Sequence, residues 1–237
     1  MNIMRSVGVG LMALFLSCAA GGSTPAENAT AAYPNMAPIG QYLSKSQADE
    51  IALARSAAPA AVSAEAQILI LSPKGYETAI EGKNHFVCLV ERPWANNFDS
   101  PDFWNPKVRA PHCFNAAAAH SVLPTYLKRT EWALAGVSKA EMRKRIQSAL
   151  AADQIPAPEV GSIAYMMSKD GYLNDAVGGH WHPHLMFYLP RTAVAEWGAD
   201  VKDSPIHGDS NALEPWTVFA VPVTRWSDGT RADMYPQ

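Results

Sequence analysis

Long hydrophobic runs are missing from this chain. No stretch reaches 18 consecutive apolar residues, whereas a membrane-spanning helix needs about 20. A surplus of positive charge is missing too: 19 Lys and Arg stand against 22 Asp and Glu, a net charge of −3. These counts supply neither the basic field of a nucleic-acid surface nor a polybasic membrane patch. Cysteine is scarce, three in 237 residues, too few for a disulfide-framework fold. There is no Cys-x-x-Cys pair, no phosphate-binding loop, no Gly-x-Ser-x-Gly elbow and no His-Glu-x-x-His zinc motif. Nucleotide-driven and thiol-redox chemistry therefore find no foothold in the motifs.

What is present begins with export. Residues 1–20 read as a secretory signal: Arg5 supplies the positive start, residues 7–16 a short apolar run, and small residues follow from Ser17. Its removal leaves 18 basic against 22 acidic residues, a net charge of −4. Cys18 admits a second reading as the lipid-bearing first residue of a lipoprotein, which would be the chain's one tie to a membrane. Residues 21–40, rich in Gly, Ser, Thr, Pro, Ala and Asn, read as a flexible linker. Residues 41–237 are then a single domain, long enough to bury a sizeable core. In an exported chain the two remaining cysteines, Cys88 and Cys113, are expected to form a disulfide.

The periodicities within that domain change along the chain. Ser46 caps a helix over 47–57. Apolar and alternating stretches predict strands at 67–71, 76–81 and 85–91, separated by Pro/Gly and Gly/Asn turns. Residues 92–113 mix Pro, Asn and Asp with Trp94, Phe98, Phe103 and Trp104, which predicts an ordered irregular loop. A helical block fills 114–152, broken at Pro124 and Gly136 and restarted by a capping box from Ser138 to Glu141. Strands are expected again at 161–168, over the histidine-rich segment that follows 178, and at 216–226, with 198–214 irregular. Strands, then helices, then strands, without βαβ alternation, predict an α+β fold: a mainly antiparallel sheet with the 114–152 helices layered on one face.

The most pointed feature is Gly178-Gly179-His180-Trp181-His182-Pro183-His184. If the segment is extended, His180, His182 and His184 share one face. Three imidazoles on one face predict a site for zinc or copper, with His207 or Asp209 as further ligands and His112 or Asp175 as alternatives. The two alternating histidines are similar to the first half of the cupin metal motif, although no acid follows between Leu185 and Pro190. They are also similar to the paired histidines of α-type carbonic anhydrases. Each likeness covers about a dozen residues, and neither family is assigned. The aromatics Trp94, Phe98, Phe103 and Trp104 would wall the ligand space.

Two functions follow as expectations. One is an exported, periplasmic or secreted protein with a histidine metal site that supports hydrolysis. The other is a metal-free periplasmic protein that binds a small molecule or a protein through the loop 94–104.

Overall fold

The structure, a computed structural model, describes residues 32–209 and 214–233. The signal segment 1–20, Cys18 and the start of the 21–40 linker lie outside the described residues. Among those described, no helix is long and apolar enough to cross a membrane.

Eight strands form one sheet: β1 Gln67–Ser72, β2 Gly75–Ile80, β3 Val87–Glu91, β4 Ala110–Phe114, β5 Ile163–Met166, β6 His184–Pro190, β7 His207–Asp209 and β8 Trp216–Pro222. Their order across the sheet is β2-β1-β3-β4-β5-β6-β8-β7. Every neighbouring pair is antiparallel except β1 with β3. The fold is thus α+β with a mainly antiparallel sheet, as its element pattern predicts.

Two strands depart from the sequence reading. β4 lies where an irregular loop is expected, because Pro111 argues against an interior strand. Its missing N–H is tolerated because pairing with β5 starts only at Cys113. β7 lies in the stretch 198–214, also read as irregular; it is three residues long and has no periodicity to detect. His85, expected at a strand end, instead adopts a positive φ of 63° just before β3.

The alternation of side chains along the strands gives the sheet two different faces. On one face Ile68, Ile70, Cys88, Val90 and Cys113 pack against Ala54, Ala57 and Ala58, in and after α1 (Gln47–Arg55). On the other face Leu69, Leu89 and Phe114 meet Ala118, Val122 and Leu123. This second face carries α3 (Ala116–Ser121), α4 (Leu123–Leu134) and α5 (Lys139–Ala151), the expected layer. A one-turn helix, α2 (Ala60–Ser63), follows α1.

The helix starts are set locally. Ser46, Asn115 and Ser138 each accept a hydrogen bond from the backbone N–H three residues on, filling a donor that the helix leaves unused. Gly136, at a φ of 73°, follows the end of α4 in the left-handed conformation that suits a helix terminus.

The cysteines are bonded. Cys88 on β3 and Cys113 on β4 stand opposite each other in register, both fully buried. The bridge locks two paired strands together and is not a clip at the base of a surface loop.

Candidate functional site

A cavity of about 610 Å³ opens on the helix-bearing face of the sheet, within the size range of small-molecule sites. Its floor is built from strand residues that alternate onto that face: Glu91 of β3, His112 of β4, Met166 of β5, and His184 and Met186 of β6. Val218 and Ala220 of β8 continue it towards His207 and Asp209 of β7. Tyr126 of α4, the backbone turn at 95–102 and the turn at 173–176 form the walls, with Trp181 and Trp216.

Charged groups pin these walls. Arg129 of α4, 1 % exposed, donates to Glu214 at 3.0 and 3.3 Å and to the Asn96 carbonyl. It also stacks over Phe98, 4.3 Å from the ring centre. Asn97 donates to Asp209, joining the loop to β7. Asp102 accepts from Asn105 at 2.6 Å and from the Asp175 backbone N–H at 3.3 Å, joining the 92–105 loop to the turn after Tyr172.

At the β3 end of the floor sits Glu91, 4 % exposed. Its Oε2 lies 3.3 Å from His112 Nδ1, while its Oε1 is buried with no hydrogen-bond partner. Burial pushes the carboxyl from an ordinary 4.5 up to about 8, against a weaker opposing pull from Arg129. Glu91 is therefore a neutral acid at neutral pH. Burial pushes the His112 imidazole down to about 3 from 6.5, with His184 and His180 adding to the effect. His112 Nδ1 is also 3.2 Å from the Ala110 carbonyl, which can only accept. That nitrogen therefore carries the proton and can donate to Glu91 as well. His112 Nε2 turns to the Met186 sulfur at 3.3 Å.

The three histidines of the sequence motif are split up. The strand begins only at His184, so His180 and His182 precede it and the expected common face does not form. The interruption is local: Gly178 takes a φ of 64°, and Pro183, with no N–H to donate, stands directly before the strand. His184 alone of the three lines the cavity. It donates from Nδ1 to the His182 carbonyl at 2.7 Å, and burial lowers its pKa. His182 packs on Trp181, ring centres 5.2 Å apart, and Trp181 in turn faces His184 and His207 at 5.3 and 5.0 Å. His180 packs between His184 and Trp226, each 5.7 Å away. Both its ring nitrogens are buried without partners, and burial holds its pKa down to about 4.

The further expected ligands are dispersed. His207 is half exposed, 3.6 Å from Asp200. Asp175 is taken up by Tyr33 and Tyr172 hydroxyls, Asn105 and Lys107. Among the described residues, no group of three or more His, Cys, Asp or Glu side chains is placed to hold a metal ion.

The aromatic wall is also corrected. Trp94, Phe98, Phe103 and Trp104 are buried in a core cluster with Tyr42, Met142 and Ile146, and none of them lines the cavity. Their apolar area is worth more in the core than at a wet wall. The loop does wall the cavity, but with its backbone and polar side chains between 95 and 102. Sequence reasoning missed Glu91 as a site residue. Its one signal was a charge closing the apolar run Val87-Cys88-Leu89-Val90. No protein-family model, no curated protein and no solved structure matches this chain.

Proposed function

We propose that this is an exported protein that binds a small molecule in the sheet-face cavity and exchanges a proton with it through Glu91. The observation that carries the reading is the buried Glu91 carboxyl in the cavity floor, with one oxygen against His112 and the other unpartnered. A buried acid without a full set of partners is costly to keep for packing alone. Perturbed acids in clefts concentrate at functional sites. The step it supports is general acid catalysis: the Glu91 O–H gives its proton to a basic atom of the ligand, and the carboxylate left behind accepts from His112 Nδ1–H. Export rests on the signal-like segment 1–20 and on the buried disulfide, and Cys18 would anchor the chain if lipidated.

The test is a fragment screen by ligand-observed NMR, repeated on Glu91→Gln and Trp181→Ala. The expected result is a set of fragments that bind the native chain and are lost in both variants. Fragments that bind all three proteins alike would overturn the reading.

A zinc or copper ion held by His180 and His184 is a second reading. It is favoured by the two buried, unpartnered ring nitrogens of His180 beside the His184 ring. Elemental mass spectrometry of untagged protein should then find about one metal equivalent, lost in the double alanine variant. A metal-free native protein after reconstitution with either ion would sink it.

A further inference from the structure

The chemistry of the cavity wall restricts what it can receive, and this inference rests on the binding reading above. Among the described residues, six acidic or basic side chains line the cavity, five of them carboxylic: Glu91, Asp99, Asp102, Asp209 and Glu214. The single cation, Arg92, is committed elsewhere. Its guanidinium donates to both Glu50 oxygens at 2.8 Å and to the carbonyls of Tyr42 and Val90. Of the lining histidines, His112 and His184 each turn Nδ1 to a backbone carbonyl, of Ala110 and His182, and His207 lies 3.6 Å from Asp200. An anionic ligand would thus meet the acidic side chains of Asp99, Asp102 and Asp209 and, among the described lining residues, no uncommitted Lys or Arg.

A positively charged ligand meets the opposite situation. Glu91, 4 % exposed, lines the floor, and its Oε1 has no hydrogen-bond partner. The rings of Trp181, Trp216 and Tyr126 line the same space, and aromatic faces attract organic cations. Met166 and Met186 add a soft apolar surface for the rest of the molecule.

We propose that the cavity takes a small organic amine, which takes up the Glu91 proton and lies as an ammonium against the carboxylate left behind, with its apolar body against Trp181 and Met186. Carboxyl, rings and thioethers belong to β3, β5, β6, β8, α4 and the segment before β6, and the tertiary fold alone brings them into one space.

Three probes of matched shape decide it: benzylamine, benzyl alcohol and benzoate, titrated into the mature chain while tryptophan emission and heat are followed. Benzylamine should bind about tenfold or more tightly than benzyl alcohol, the margin expected for a charge-assisted hydrogen bond, and benzoate should not bind. In Glu91→Gln the margin between amine and alcohol should fall to a few-fold. Equal or tighter binding of the alcohol or benzoate would overturn the amine proposal. If that binding is nevertheless weakened in Glu91→Gln, the cavity and the role of Glu91 stand and only the ligand class is wrong. Failure of all three probes at millimolar concentration would also overturn it, and the fragment screen would then decide separately whether the cavity binds anything.

Discussion

Glu91 and His112 face each other across β3 and β4, and burial acts on them in opposite senses. The folded chain keeps the Glu91 proton up to about 8, whereas an unfolded carboxyl releases it near 4.5. Between those values the folded state binds more protons than the unfolded one, so stability falls as pH rises through that window. His112 works the other way: folded it resists protonation down to about 3, unfolded it protonates near 6.5. Its contribution to stability, like that of His180 with a folded value of about 4, is therefore lost as pH falls below 6.5. Urea denaturation followed across pH should show a maximum between two falling limbs. Glu91→Gln should flatten the alkaline limb and, because the Glu91 window reaches down to 4.5, steepen the acid limb above that value. An alkaline limb unchanged in Glu91→Gln would mean that Glu91 is not the group that titrates there.

Among the elements, the helices and the disulfide were the most legible. Ser46 and Ser138 announce their helices because a cap needs one oxygen and the donor three residues on, all within one turn of chain. Pairing of Cys88 with Cys113 was the only option open to the two cysteines past residue 20, and the register places them opposite each other on β3 and β4. The two residues lie 25 apart in sequence, so the closed loop should contribute about 3 kcal/mol through the unfolded state. A Cys88→Ala/Cys113→Ala variant should lose stability of that order in denaturant, and reduction of the native protein should do the same. If neither shifts the midpoint, the bond does not form in solution. The same strands carry Glu91 and His112 a few residues away, so the variant also shows whether the bridge holds the acid and the imidazole in place. β4 was less legible, because Pro111 hides it and only its partners reveal why Pro is allowed there.

At the scale of the whole molecule, the α+β class, the helical layer over 114–152, the disulfide and the helix caps were set by the sequence itself. The class, the layer and the caps depend on residues a few positions apart or on a periodicity visible along the chain, and the disulfide on Cys88 and Cys113 being the two cysteines past residue 20. The site was decided only by the tertiary structure. His180, His182 and His184 promised a shared face through local alternation, but the sheet takes up the chain only from His184, where β5 and β8 supply hydrogen-bond partners on both sides. Trp94, Phe98, Phe103 and Trp104 stood out as a ligand wall, yet helices α4 and α5 offer them a dry surface, and burial there wins. Glu91 carried almost no signal in its own segment. Its partner is His112, twenty-one residues later, and its neutrality comes from burial. Local patterns fix where the backbone can pair or coil, while burial and long-range contact fix which side chains are left to do chemistry.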